Sequence, residues 1–166
     1  MKLIMITGLP GTGKTTFARA LSQELTYRHL NTDMVRDELG KRGQYDEETK
    51  AEIYEELFKR AESELRQGRG VIVDGTFYQR SLRADFEQLA ERTEAAVFWI
   101  EIKASEEVIE ERVNQKRAYS EADFEVYLKI KSQYEPLESP HLTLRSDELE
   151  VAKMVDRATA YVNEQL

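Results

Sequence analysis

Eight residues near the start of the chain, Gly8-Leu9-Pro10-Gly11-Thr12-Gly13-Lys14-Thr15, have the types and spacing of a loop that wraps a phosphate chain. Glycines let the backbone approach closely, and successive N–H groups then point inward at an anion. A helix starting at the loop's end would add its partial positive charge. Lys14 can reach the β- and γ-phosphates, and the Thr15 hydroxyl can ligate Mg²⁺. Pro10 stiffens the turn. Gly8, Pro10, Gly11, Thr12, Gly13, Lys14, Thr15 and Thr16 are therefore the expected ATP-binding set. The guanine-reading pattern N-K-x-D is absent from the chain, which favours ATP over GTP.

A second group of residues could receive the phosphate. Asp33 stands in Asn31-Thr32-Asp33-Met34-Val35-Arg36, after a strand-like run. A carboxylate there can take the proton of an attacking hydroxyl. It can equally serve as the cap of the short helix Met34–Leu39, and the two roles are compatible. Arg36, one helical turn on, can hold an anionic group of the acceptor. Asp74 ends Val71-Ile72-Val73-Asp74, the place of an acid that supports Mg²⁺ together with Thr15. It could instead orient the acceptor or Arg36, or simply form a turn before Gly75. Thr76 and Arg83 lie close enough in sequence to contribute to an acceptor pocket, although Arg83 reads foremost as a surface residue.

Two arginines close the set. Arg112 borders the apolar face of its helix and could stack on adenine. Arg117 falls on a charged break between helical patterns. From a lid it could neutralise the charge that spreads during phosphoryl transfer. The alternative is a solvated basic helix end, favoured by the helix dipole.

These residues need a scaffold that gathers loop ends. Strand-like runs at Lys2–Thr7, Tyr27–Asn31, Val71–Asp74, Val97–Ile102 and His141–Leu144 alternate with helical patterns. The helices are expected over Thr16–Glu24, Asp46–Gln67, the segment marked by Leu82, Phe86, Leu89 and Ala90, a stretch from Ser105 to about Lys116, one capped by Ser120 and ending before Pro136, and Asp147–Asn163. Tyr54, Leu57, Phe58, Ala61 and Leu65 recur at helical spacing, with Gly68 as a C-terminal cap. Such alternation predicts an α/β fold with a parallel sheet covered on both faces. Ligands in such sheets collect at the carboxyl ends of the strands.

The 166 residues suit one domain, 1–166, with a lid around residues 112–122. The absence of cysteine excludes disulfides and thiolate chemistry. The first apolar run has four residues, so neither a leader nor a membrane span is expected, and the default is a cytoplasmic protein. A net charge of −8 argues against broad nucleic-acid binding but leaves room for a local basic cleft.

Taken together, Gly8–Thr15, Asn31–Arg36, Val71–Phe77, the Arg112/Arg117 segment and Tyr134-Glu135-Pro136-Leu137 resemble the P-loop kinases of the AAA-type ATPase group. They are also similar to the kinase domain of phage and bacterial polynucleotide 5′-kinases. The resemblance implies a P-loop NTPase sheet of five parallel strands in order 2-3-1-4-5 with a small lid. It implies that Asp33 is the general base, that Arg36 binds a phosphate beside the acceptor hydroxyl, and that Arg117 contacts the ATP phosphates. The chain departs from those kinases in lacking a phosphatase or ligase module, in its acidic charge, in Gly75 where alanine is common, and in Thr15 where serine is common. Zeta-toxin and antibiotic kinases share the loop and the acid yet act on other hydroxyls, so the acceptor stays open. The expectation is an ATP- and Mg²⁺-dependent phosphotransferase acting on a hydroxyl of a small or oligonucleotide acceptor. The alternatives are a 5′-hydroxyl polynucleotide kinase and a non-kinase ATP-dependent switch.

Overall fold

The computed structural model describes residues 1–115 and 124–164. Five strands, β1 (Lys2–Thr7), β2 (Arg28–Asn31), β3 (Val71–Asp74), β4 (Ala96–Lys103) and β5 (His141–Arg145), form one sheet in the order β2-β3-β1-β4-β5. Every pairing is parallel. The expected order therefore holds, and all five carboxyl ends open on one edge.

The inner strands β1, β3 and β4 are almost continuously apolar because both faces of the sheet are covered there. Alternation still sorts their side chains. Leu3, Met5, Val71, Val73 and Trp99 pack on one face with α3 (Glu47–Arg66) and α4 (Arg80–Arg92). Ile4, Ile6, Ile72, Phe98 and Ile100 pack on the other with α1 (Lys14–Leu25) and α7 (Val151–Glu164). The remaining helices are α2 (Thr32–Glu38), α5 (Glu106–Val113) and α6 (Phe124–Gln133). Among the described residues no helix is long and apolar enough to cross a membrane.

Several element ends differ from expectation for identifiable reasons. The first helix starts at Lys14, two residues early, because Gly13 adopts φ 94° and turns the chain directly into it. Ser105 does cap α5, accepting from Val108 N, but that helix stops at Val113. The last helix begins at Val151, because Arg145–Leu149 is a turn closed by Leu149 N on Arg145 O. Asp147 in that turn instead accepts from Ser105 N at 2.9 Å. Ser120 and most of the expected lid lie outside the described residues.

Helix α3 shows the predicted apolar face: Tyr54, Leu57, Ala61 and Leu65 are buried, and Phe58 partly so. Glu64 is buried on the same helix because two arginines meet it. Its carboxylate accepts from Arg69 Nε at 2.7 Å and from Arg28 Nη1 at 2.9 Å. The Arg69 bond foremost, with help from Arg28, pulls its pKa down to about 2. A depressed carboxyl pKa stabilises the fold above the ordinary value of 4.5, and that contribution drains away as pH falls toward 2. Both arginines are half exposed, so screening limits it to about 1–2 kcal/mol. Glu64→Gln is expected to cost that much at pH 7. The gap between parent and variant in urea unfolding should narrow steadily between about pH 5 and pH 3.

Candidate active site

The loop between β1 and α1 takes its shape from glycine. Gly8, Gly11 and Gly13 all have positive φ, and a Cβ on Gly8 would collide with the Ile102 carbonyl oxygen. Thr12 turns inward: its Oγ1 donates to Leu9 O at 2.8 Å. Gly8 and Thr12 thus build the loop, while Pro10, Gly11, Gly13, Lys14, Thr15 and Thr16 line the cavity above it, of about 630 Å³. Lys14 Nζ donates to Leu9 O at 3.4 Å. Burial lowers the pKa of this ammonium, and the nearby Asp74 and Asp33 carboxylates pull it partly back.

Asn31 ties the loop to the acid at the end of β3. Parallel pairing sets Asn31 beside Asp74 and Asp74 beside Ile6. Its amide Nδ2 donates to Thr15 Oγ1 at 3.0 Å and to Asp74 Oδ2 at 2.8 Å. Its Oδ1 accepts from Met34 N at 3.0 Å and so caps α2. His29 adds a 2.6 Å hydrogen bond to the same Asp74 oxygen. Asp74 is fully buried, and its Oδ1 has no hydrogen-bond partner among the described residues. A buried carboxylate oxygen without a partner, beside a threonine hydroxyl in a phosphate loop, fits a divalent cation that takes only one or two protein ligands. Among the described residues there is no cluster of three or more histidine or acidic side chains that would hold a metal unaided.

With Asn31 as the cap, Asp33 is not needed for that role. It occupies the first turn of α2 and lines the same cavity as Lys14 and Thr15. Its Oδ1 accepts from Arg36 Nη1 at 2.7 Å. Arg36 is buried, donates through Nε to Gln44 O at 3.1 Å, and lies 4.5 Å over the Tyr45 ring. Thr76 lines the cavity too, and its carbonyl is held by Thr7 Oγ1 at 2.6 Å.

Arg83 requires a correction. It is neither a surface residue nor part of the cavity lining, but 4% exposed. Its guanidinium donates to Phe77 O at 2.7 Å, to Pro136 O at 3.1 Å and to Glu135 O, above the Tyr134 ring. The bond to Phe77 O is buried, and those to Glu135 O and Pro136 O are partly buried. Arg83 therefore staples Tyr134–Leu137 to the turn that carries Thr76 and Tyr78. That turn needs support, because Phe77 adopts φ 46°.

Arg112 reaches the loop from α5. Nη1 donates to Ser146 Oγ at 2.9 Å, Thr12 O at 3.2 Å and Gly11 O at 3.3 Å. Ser146 Oγ in turn donates to Thr12 O at 2.5 Å. Arg112 lines the cavity while buttressing the loop from outside. Arg117 lies outside the described residues. Sequence reasoning missed His29, Lys50, Tyr45, Tyr54, Tyr78 and Ser146. Asn31 was legible only as the start of the Asp33 segment.

The AAA-domain family matches residues 3–137, and the chain belongs to that family. A Bacillus subtilis (strain 168) protein, "Probable adenylyl-sulfate kinase", is 28% identical over 173 residues, covering 99% of this chain and 86% of that protein. The L-seryl-tRNA(Sec) kinase of Methanococcus maripaludis is 33% identical over 107 residues, 61% of this chain and 41% of its own. An uncharacterized protein of Mycobacterium tuberculosis (strain ATCC 25618 / H37Rv) is 29% identical over 125 residues; the match covers 68% of this chain but only 25% of that relative's length. Among solved structures, the Mycobacterium tuberculosis APS kinase CysC in complex with AMPPNP and APS has a TM-score of 0.74 at 17% identity, covering 98% of this chain and 97% of that one. A gluconokinase from Sinorhizobium meliloti 1021 has a TM-score of 0.74 at 17% identity, covering 99% and 93%. At such identities the structural likeness shows the fold, which is that of P-loop kinases.

Proposed function

We propose that this member of the AAA-domain family is an ATP-dependent phosphotransferase that moves the γ-phosphate to an alcohol. One observation carries this reading: Asp33, on its own capped helix, opens into the same cavity as Lys14 and Thr15. A nucleotide switch needs the loop but has no use for a carboxylate aimed at it from a second element.

The loop's N–H groups and Lys14 would hold the phosphate chain. Thr15 and Asp74 would hold Mg²⁺, which would offset the charge of the phosphate chain. Asp33 takes the proton of the acceptor hydroxyl as its oxygen bonds to the γ-phosphorus. The bond from that phosphorus to the β–γ bridging oxygen breaks, and ADP leaves with the electron pair. Arg36 orients the acceptor, and Arg117 would add positive charge over the phosphates. The kinases similar to this chain carry names with different acceptors, so their names do not select one.

A screen of radiolabelled γ-phosphate transfer from ATP tests the reading, with nucleosides, sugars, aminoglycosides and short 5′-hydroxyl oligonucleotides as acceptors. Label on any alcohol supports it. Label on the oligonucleotides alone would make the protein a polynucleotide 5′-kinase. ATP binding without transfer to any of them would favour the switch.

A further inference from the structure

His29 stands on the edge strand β2, yet its side chain is only 10% exposed. Alternation along the strand explains where it goes. Leu30 packs with Leu3 and Val73 on the α3 face of the sheet, so His29 and Asn31 both turn to the α1 face. There the imidazole lines the cavity and meets Asp74 Oδ2 at 2.6 Å, on the same oxygen that accepts from Asn31 Nδ2 at 2.8 Å. An ionised carboxylate only accepts, so Nε2 is the nitrogen that carries the hydrogen.

The bonding of Asp74 is lopsided. Oδ2 accepts from both neighbours, while Oδ1 of the same buried group has no partner among the described residues. Backbone pairing from Arg28↔Val71 to Asn31↔Asp74 already joins β2 to β3. A carboxylate placed there for stability alone would share its donors between both oxygens, because a bare buried oxygen is costly. Among the described residues no lysine or arginine forms an ion pair with Asp74; Lys14 feels its charge, and that of Asp33, at longer range. Two donors on one oxygen also fix the rotation of the carboxylate, so only Oδ1 can be offered to a cation.

We propose that His29 is a positioning residue for the cation site: by holding Asp74 Oδ2 it limits Asp74 to one metal-ligating oxygen, Oδ1, and so makes the site prefer Mg²⁺ to Ca²⁺. Mg²⁺ demands near-octahedral geometry and suits a carboxylate that offers one oxygen, whereas Ca²⁺ readily takes both. Asn31 works to the same end, since its amide also donates to Thr15 Oγ1 at 3.0 Å and keeps the two ligand oxygens together. This inference rests on the reading that the loop holds ATP with its cation at Thr15 and Asp74.

Calorimetric titration of the full chain with the β,γ-imido analogue of ATP, in EDTA, in excess Mg²⁺ and in excess Ca²⁺, tests it without turnover. The parent should bind the analogue more tightly in Mg²⁺ than in EDTA, with a smaller gain in Ca²⁺. In His29→Asn the amide falls short of Asp74, and His29→Phe keeps a ring without the donor. Both should lose about tenfold in Mg²⁺, the usual cost of removing a partner from a metal-ligating group. They should lose less in Ca²⁺ and stay within about twofold of the parent in EDTA. His29→Gln, whose amide nitrogen reaches the Nε2 position, should restore the Mg²⁺ value. A merely structural histidine would instead lower affinity equally in EDTA, and that result would overturn the proposal. So would an unchanged preference for Mg²⁺ over Ca²⁺ in both donor-free variants, or a His29→Gln as weak as His29→Asn. If the parent fails to bind the analogue in any medium, the ATP reading falls and the proposal with it. If the parent binds it equally in EDTA and Mg²⁺, the cation site falls with the proposal. If parent and donor-free variants gain equally from Mg²⁺, the role of His29 alone falls.

Discussion

Asp33→Asn is expected to slow phosphoryl transfer by about 10²- to 10⁴-fold, the usual contribution of a general base. The substitution keeps the shape of the side chain and an oxygen that can still accept from Arg36, now at 2.7 Å from the Asp33 carboxylate. It removes only the ability to take a proton at neutral pH. The helix should survive it, because the cap belongs to Asn31. ATP affinity should therefore stay within about twofold of the parent. Single-turnover transfer and nucleotide titration separate the two effects. A transfer rate equal to the parent's would leave Asp33 as a residue that merely anchors Arg36.

Lys14→Met should reduce transfer by about 10²- to 10³-fold, as expected when a positive group aimed at developing charge is lost. It should have the opposite effect on the empty protein. Lys14 is half-buried at the cavity wall, and loss of hydration lowers the pKa of its ammonium despite the nearby Asp74 and Asp33. A cationic group whose folded pKa is depressed destabilises the fold while it stays charged, and the strain eases only as pH rises. Methionine fills the same space without that desolvation. The nucleotide-free variant is expected to be more stable than the parent at pH 7 by about 1 kcal/mol, read as a higher melting temperature. Added ATP should raise the parent's melting temperature by mass action and leave the variant's nearly unmoved. A variant that melts well below the parent without nucleotide would show that the lysine supports the loop rather than straining it.

These two residues illustrate what the chain's order makes plain. Lys14 belongs to a contiguous loop whose glycines and helix start act through the backbone, so spacing alone identifies it. The strands β1, β3 and β4 were equally legible, since short apolar runs closed by turn residues are local signals. Asp33 was legible in part: its place after a strand located it, but its capping role was set aside only when Asn31 was found capping α2.

What the tertiary structure alone decided concerns partners far apart in sequence. Asn31 joins Thr15 and Asp74 because parallel pairing sets β2 beside β3 at the right register, and no periodicity in the chain encodes that triangle. Arg83 and Lys50 carry the same letters as solvated cations on helix surfaces, and a sequence read without its neighbours assigns them there. Burial reversed the surface reading of Arg83 and removed Lys50 from solvent as well. Arg83 is spent on carbonyls 52 and 53 residues away and on Phe77. Lys50 lines the cavity that the loop begins, its Nζ 5.1 Å from the Tyr78 ring centroid. The sequence determined that a phosphate would be held, because backbone geometry is local. Which charges face that phosphate was decided by packing, because a charge acts through distance and solvent exclusion, and the fold sets both.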